Sequence, residues 1–160
     1  MDRYRVITNL AEQNNWKHGL ELGVWVGVTT FWLMKHTSVN MTCVDAWEGQ
    51  DDNPEYHDAN EQRFRKEAEQ WGDRIKIIKG RSLDIIDEIP DNSMDFIFHD
   101  SDHSYPFVKN EIEAYLPKLK QGGYCMGDDY NWTPVKQSVQ EAFGNNHRVT
   151  GKDVWYSIKN

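Results

Sequence analysis

Two short groups of polar residues each follow a stretch that the sequence predicts as a buried strand. Asp100, Asp102 and His103 follow one such stretch, and Asp128 and Asp129 follow the next. Because neighbouring parallel strands lie ~4.8 Å apart, these carboxylates converge if the two strands are neighbours. Carboxylates ~5 Å apart repel by ~3 kcal/mol at an effective dielectric of ~20, a cost that a fold seldom accepts without a cation or a shared proton. The pattern therefore indicates an enzyme.

A glycine-bearing turn follows the first predicted strand and leads into a helix. It runs from Glu21 through Gly23 and Gly27 to Thr29, a spacing that differs from the Gly-x-Gly-x-x-Gly of dinucleotide-binding proteins. Glycines let a ligand approach the backbone, and the helix start offers free amides. Asp45 ends the second predicted strand, where a carboxylate can accept hydrogen bonds from both ribose hydroxyls. A tight turn followed by a capping aspartate explains the same residues, and both interpretations stay open here.

Hydrophobic periodicity predicts alternating helices and strands from the N-terminus almost to the C-terminus. The predicted helices are Tyr4–Asn14, Thr29–His36, Glu61–Trp71, Leu83–Ile89, Thr133–Phe143 and Phe107–Leu119, the last of which Pro117 ends near Leu116. The predicted strands are Gly19–Leu22, Met41–Ala46, Arg74–Lys79, Asp95–His99, Tyr124–Gly127, His147–Thr150 and Val154–Lys159, with a loop at Trp47–Tyr56. This order predicts an α/β fold with a doubly wound, mostly parallel, Rossmann-like sheet, an antiparallel C-terminal strand pair and helices on both faces. We expect a single domain over residues 1–160.

Composition and charge restrict the class of protein further. A net charge of −8 disfavours a nucleic acid partner, which draws on clustered lysine and arginine. No apolar run approaches the ~20 residues of a membrane span, and the N-terminus lacks the apolar stretch of a signal peptide. Cys43 and Cys125, the only cysteines, fall within predicted strands, where they act as small apolar residues. We therefore expect a cytoplasmic protein without disulfides.

In its glycine-bearing turn and its two acidic groups, the chain resembles the class I methyltransferases that use S-adenosylmethionine. Glu21, Gly23, Gly27 and Thr29 match the Glu-x-Gly-x-x-x-Gly-x-Ser/Thr variant of the family's first motif. The chain is most similar to a small subset that includes the metal-dependent sugar O-methyltransferases of the macrocin and mycinamicin type and cephalosporin hydroxylase-like proteins. That subset carries Asp-x-x-His after the fourth strand and an acidic pair after the fifth. Trp25 departs from the pattern, because many relatives have glycine there.

The resemblance implies a set of roles for the polar residues. It implies that Asp100, Asp128 and Asp129 bind Mg²⁺, that His103 is the catalytic base, and that Asp100 also lies near the methyl donor. The implied contacts to S-adenosylmethionine are Glu21 and Gly23 at the sulfonium amino acid, Gly27 and Thr29 in the same turn, Asp45 at the ribose and Ser82 at the adenine edge. The implied reaction is O-methylation of a hydroxyl on a small molecule, with a sugar or glycoside as the favoured acceptor and a homo-oligomer as a possible assembly.

Other interpretations of these residues stay open at this point. The acidic cluster also suits a metal-dependent hydrolase, and a non-catalytic module could retain the cofactor pocket. His103 could cap the helix that follows it, and Asp128 with Asp129 could stabilise the helix near Thr133 through its dipole. Asp102 is better interpreted as a solvated loop residue. His99 alternates to the opposite face of its strand, which favours a place in the core.

Overall fold

The computed structural model describes residues 2–48 and 54–160. The helices are α1 (Arg3–Gln13), α2 (Val28–His36), α3 (Pro54–Ala68), α4 (Phe107–Tyr115) and α5 (Thr133–Phe143), with short 3₁₀ helices at Glu69–Arg74, Ile86–Glu88 and Leu116–Lys118. The strands are β1 (His18–Leu22), β2 (Asn40–Asp45), β3 (Ile75–Lys79), β4 (Met94–His99), β5 (Leu119–Gly127), β6 (Arg148–Thr150) and β7 (Val154–Ile158). In the described parts of the chain these strands form one sheet, in the order β3-β2-β1-β4-β5-β7-β6.

The sheet has a buried core on each face because neighbouring residues of its strands point to opposite sides. Phe96 and Phe98 of β4 pack in one core, with side chains from α1, α2 and α3. Ile97, which lies between them, packs in the other core with α4 and α5. The first five strands run parallel, and β7 pairs antiparallel with both β5 and β6. The predicted fold class is thereby confirmed.

The register of the central strands brings their carboxyl ends to the same level. Leu22 at the end of β1 pairs with His99 at the end of β4, and His99 pairs in turn with Gly127 at the end of β5. The residues that follow these three ends are Gly23, Asp100 and Asp128, so the glycine turn and both acidic groups leave the sheet side by side. We call this side of the sheet the carboxyl edge.

Several predicted boundaries were wrong, each for a local reason. The predicted loop Trp47–Tyr56 overlaps the start of α3, because proline is tolerated in the first turn of a helix and Pro54 opens one; residues 49–53 lie outside the described residues. The predicted helix Leu83–Ile89 is a single 3₁₀ turn at Ile86–Glu88. Strand β5 begins at Leu119 rather than Tyr124, because a register shift against β4 keeps the glycine pair within the strand.

Cys43 and Cys125 are both buried free thiols, as the sequence predicts. Among the described residues, no helix is long and apolar enough to cross a bilayer.

Candidate active site

Two glycines shape the turn between β1 and α2. Gly23 has φ +86°, and a Cβ placed on it would lie 2.2 Å from the backbone oxygen of Asp100. Gly27 has φ +84° and caps the N-terminus of α2. A side chain at Gly23 would therefore be strained and would also collide with the loop after β4. Glycine lets the two loops touch, which places the turn directly beside the acidic cluster.

Asp45 holds the loops after β1 and β2 in fixed positions. One carboxylate oxygen accepts the backbone N–H of Trp25 at 2.7 Å, and the other accepts the backbone N–H of Trp47 at 2.7 Å. The indole N–H of Trp47 donates to the backbone oxygen of Trp25 at 2.9 Å. Each carboxylate oxygen keeps a second lone pair for a further donor. Asp45 therefore orders the rim of the turn, and its contact with a ribose stays a prediction.

Glu21 lies beneath the turn and is almost completely buried, with 2% of its surface exposed. Its carboxyl group accepts a hydrogen bond from the hydroxyl of Thr30. Burial raises the pKa of Glu21 to about 8, helped by the negative charges of Asp100 and Asp45 and opposed by Thr30 and Arg3. Near neutral pH this side chain is therefore largely a neutral acid. It supports the turn from below.

Replacing Glu21 by glutamine should remove a pH-dependent loss of stability. The folded pKa of about 8 lies above the usual 4.5, so folding is progressively disfavoured as pH rises between these values. Glutamine does not titrate and can still accept the Thr30 hydrogen bond. We expect Glu21→Gln to gain on the order of 1–3 kcal/mol relative to wild type between pH 5 and pH 8. Urea unfolding at both pH values measures this gain.

Glu12→Gln, an exposed substitution on α1, is the matched control and should show no such pH-dependent gain. A Glu21→Gln variant whose stability relative to wild type is the same at both pH values would contradict the assignment of a neutral buried acid.

The second part of the site is a group of three side chains at the carboxyl edge. Nε2 of His103 lies 3.0 Å from Asp129 Oδ2 and 3.6 Å from Asp100 Oδ1. One ligand-type atom from each of these three residues lies within 4.8 Å of the others. The carboxylates of Asp100 and Asp129 raise the pKa of His103, although its partial burial works against them. The structure thus brings the predicted base and two of the three predicted metal ligands together.

Burial also affects the two carboxyl groups of this trio. It raises the pKa of Asp100, and nearby Asp128 adds to that effect, while His103 and Arg3 oppose it. The pKa of Asp129 is raised mainly by burial as well. The pKa of all three groups of the trio is therefore shifted upward from its ordinary value.

Asp128, the third predicted metal ligand, is bound to a residue that the sequence analysis missed. Its Oδ2 accepts a hydrogen bond from Arg3 Nη1 at 2.8 Å. Arg3 Nη2 lies 3.2 Å from Asp100 Oδ2, and Arg3 Nε donates to Thr29 Oγ1 at 3.2 Å. A single guanidinium thus joins α1, the start of α2 and the ends of β4 and β5. No local signal marks Arg3, because its role depends on where α1 packs.

A buried polar network lies behind the trio, on the α4 side of the sheet. Glu111 is 1% exposed; its carboxylate contacts His99 Nδ1 at 2.7 Å and accepts hydrogen bonds from the hydroxyls of Ser101 and Ser82. The hydroxyl of Tyr115 donates to the backbone oxygen of Ser82 at 2.6 Å. His99 therefore faces the core, as its place on the strand predicts. The Ser82 hydroxyl is already hydrogen-bonded, and an adenine contact from this residue stays a prediction.

Two further residues define the surroundings of His103. The ring of Trp132, which is 54% exposed, lies 5.3 Å from the imidazole, measured between centroids. An exposed aromatic ring beside the proposed base offers a stacking surface for a substrate. Asp102 is exposed, and its carboxylate accepts the backbone N–H of Ser104 at 2.6 Å, as expected of a loop residue.

Known proteins share this arrangement of sheet and helices. A Staphylococcus aureus structure described as a caffeoyl-CoA O-methyltransferase superposes with a TM-score of 0.73 and 21% identity over 100% of this chain and 85% of its own. A Bacillus cereus O-methyltransferase in complex with S-adenosylhomocysteine superposes with a TM-score of 0.71 and 18% identity, over 98% of this chain and 80% of its own. The Streptomyces achromogenes O-methyltransferase TomG, in complex with S-adenosylmethionine, superposes with a TM-score of 0.70 and 15% identity, over 99% of this chain and 80% of its own. At these identities the likeness establishes the fold.

Sequence similarity adds the family. An uncharacterized protein of Acanthamoeba polyphaga mimivirus is 37% identical over 71 residues, which cover 39% of this chain and 32% of that relative's length. A family model described as a methyltransferase domain matches residues 20–130, from β1 through the second acidic group. The class defined by the fold and the family match is that of the Rossmann-like methyltransferase domains. The chain belongs to this family of methyltransferase domains.

Proposed function

We propose that the protein transfers the methyl group of S-adenosylmethionine to a hydroxyl of a small polar molecule, with His103 as the general base. The favoured acceptor class is a sugar or glycoside. The observation that carries the proposal is the position of the His103 imidazole. It lies between Asp100 and Asp129 at the carboxyl edge, beside the turn that holds the family's cofactor motif.

The methyl transfer is an in-line displacement in which the protein supplies alignment and a base. The acceptor oxygen forms a bond to the methyl carbon while the carbon–sulfur bond breaks. The electron pair of that bond stays on sulfur, which converts the sulfonium to the neutral thioether of S-adenosylhomocysteine. His103 takes the hydroxyl proton, and Asp100 and Asp129 stabilise the imidazolium that results. The products are a methyl ether, S-adenosylhomocysteine and one proton that later leaves the histidine.

The cofactor contacts in this proposal follow the edge of the sheet. Glu21 and Gly23 would lie at the methionine part, Gly27 and Thr29 in the same turn, Asp45 at the ribose and Ser82 near the adenine. Asp100 would lie beside the methyl donor, because its backbone touches the Gly23 turn. These roles are supported by the shared edge and by the motif.

A small polar cavity supports the acceptor class. A cavity of about 300 Å³ adjoins the site on the side of Arg3 and Asp128, and the rest of its lining is Asp2, Tyr4, Lys152, Asp153 and Val154. This volume is at the lower end of the range of small-molecule pockets, ~300–1,000 Å³. Its charged and hydroxyl-bearing lining suits a compact hydroxylated molecule better than an extended apolar one.

Magnesium assistance, which the resemblance implies, stays a prediction. Mg²⁺ favours oxygen ligands at ~2.0–2.1 Å and would act as a Lewis acid and template. The set Asp100, Asp128 and Asp129 does not fit this role as the side chains are arranged, because Arg3 engages carboxylate oxygens of Asp100 and Asp128. The steps above therefore involve only the protein's own residues.

Calorimetric titration with S-adenosylmethionine, with and without Mg²⁺, tests the proposed cofactor. We expect micromolar binding to wild type and about 10- to 100-fold weaker binding to Asp45→Asn, from the loss of charge-assisted hydrogen bonds worth ~1.5–3 kcal/mol. Asp73→Asn, an exposed substitution before β3, is the matched control. Release of S-adenosylhomocysteine in the presence of a panel of sugars then tests the acceptor. Cofactor binding without methylation of any hydroxylated compound would contradict the proposed reaction.

A further inference from the structure

Arg3 occupies the position in which a cation is expected. The sequence predicts that the carboxylates after β4 and β5 need a cation or a shared proton between them, and the guanidinium of Arg3 lies there. It is 2.8 Å from Asp128 Oδ2 and 3.2 Å from Asp100 Oδ2. One third of the Arg3 side chain is exposed, and the carboxylates are 11% and 16% exposed. This is a largely desolvated contact, unlike an ordinary surface ion pair.

The guanidinium suits this position by both its charge and its shape. Arginine presents several N–H donors in a rigid plane, so it can bind two carboxylates and a hydroxyl at the same time. All three guanidinium nitrogens of Arg3 have a partner, the third being Thr29 Oγ1. Asp100 and Asp128 outweigh the effect of burial and raise the pKa of Arg3, so the side chain is permanently charged.

A divalent metal would compete for the same atoms. Mg²⁺ requires carboxylate oxygens at ~2.0–2.1 Å, and the oxygens nearest to the guanidinium are the ones it would bind between Asp100 and Asp128. The other possible ligand set, Asp100, His103 and Asp129, shares Asp100 with Arg3. A metal there would face the guanidinium charge and would engage the imidazole that serves as the proposed base.

We propose that Arg3 replaces the divalent cation of this site: helix α1 carries a guanidinium between Asp100 and Asp128, and the site keeps its acidic residues together without a metal. Arg3 is then a positioning residue. Its single positive charge offsets part of the repulsion between the two carboxylates, and its contacts fix them relative to Thr29 and the cofactor turn. The inference deepens the proposed function, because it concerns the same site. Its test is a binding measurement that does not depend on turnover.

The experiment is calorimetric titration of Mg²⁺ and of Mn²⁺ into the full chain and its variants. Wild type should show no saturable binding with a Kd below about 1 mM. Arg3→Met removes the charge and should bind the metal at least about tenfold more tightly than wild type. Its melting temperature should fall without metal and rise again when metal is added. Arg3→Lys keeps a charge but loses the planar contacts, so it should be less stable than wild type and still bind no metal.

Arg5→Met is the matched control, because Arg5 lies on the same helix with its guanidinium over Trp32, away from the acidic cluster. It should behave as wild type. Sub-millimolar metal binding by wild type that is lost in Asp128→Asn would overturn the inference and support the magnesium prediction. Equal metal affinity of Arg3→Met and wild type would also overturn it. If Arg3→Met does not fold, Arg3→Gln and the wild-type titration decide the question.

The same samples are titrated with S-adenosylhomocysteine. A wild-type protein that binds neither metal nor S-adenosylhomocysteine would count against the proposed function and leave the inference on Arg3 intact. A failure of the proposed function can therefore be distinguished from a failure of the inference on Arg3.

Discussion

Replacing His103 by alanine should lower the rate of methyl transfer by about 100- to 10,000-fold, the range of general-base contributions. The affinity for S-adenosylhomocysteine should stay close to the wild-type value. The reason is geometric: the imidazole lies beside Asp100 and Asp129, with Nε2 3.6 Å and 3.0 Å from their carboxylate oxygens, next to the cofactor turn but not part of it. Its loss removes the proton acceptor and leaves the Gly23–Thr29 turn in place.

Three measurements separate a chemical from a structural role of His103. His103→Gln keeps much of the volume and cannot take the proton, so it should be as slow as the alanine variant. Imidazole added to His103→Ala should restore part of the turnover. His18→Ala, at the opposite end of the sheet on an exposed position of β1, should retain wild-type turnover. An unchanged rate in His103→Ala, measured as release of S-adenosylhomocysteine, would remove His103 as the base.

The fold could be predicted from the sequence because its signals are local and repeated. Short apolar strands alternate with amphipathic helices, and the strand ends are marked by glycine or aspartate. The convergence of Asp100 and Asp129 was predictable for the same reason, since adjacent parallel strands end at the same edge. The start of α3 was not, because Asp-Asn-Pro reads equally well as a loop and as a helix N-terminus.

The sequence could not predict that Asp128 and Asp129 contact different partners. Asp129 has φ +57°, so the chain has left the alternation of the strand at that residue. One carboxylate therefore contacts His103 while its neighbour contacts Arg3. The contribution of Arg3 depends on the packing of α1 near the carboxyl edge, more than ninety residues away along the chain from either aspartate. No periodicity within α1 carries that information.

The buried hydrogen-bond network around Glu111 could not be predicted from the sequence either. His99 could be placed in the core by alternation, and Glu111 lies on the apolar face of α4 with Val108, Ile112 and Tyr115, but glutamate is a residue type that is seldom buried. Only the packing of α4 on the sheet brings Glu111 to His99, Ser82 and Ser101. Because Ser101 directly follows Asp100, this network fixes the loop that carries Asp100.

Replacing Glu111 by alanine should therefore destabilise the protein by about 3–5 kcal/mol, the cost of removing one partner of a buried ion pair. The substitution leaves the imidazole of His99 without its counter-charge, and it removes the acceptor of two serine hydroxyls. A domain of this size has a total stability of about 5–15 kcal/mol, so the variant should be only marginally folded. Urea unfolding at neutral pH measures the loss.

The ion pair between His99 and Glu111 should also make the free energy of unfolding depend on pH in the alkaline range. Burial disfavours the charged imidazole, but Cys125 and Glu111 outweigh it and raise the pKa of His99 to about 10, above the usual 6.5. A raised folded pKa means that the charged pair contributes fully below pH 6.5 and that this contribution is lost as pH rises through about 10. The stability difference between wild type and Glu111→Gln should therefore shrink from neutral pH to pH 10.

Glu113→Ala is the matched control for both measurements, because Glu113 lies on the same helix, is exposed, and forms a surface ion pair with Lys109 at 3.9 Å. A surface pair of this kind contributes about 0–1 kcal/mol, and its removal should leave the unfolding midpoint and its pH dependence nearly unchanged. If Glu111→Ala were no less stable than Glu113→Ala, the network could not be what fixes Ser101. The position of Asp100 would then depend on its contacts with Gly23, Arg3 and His103.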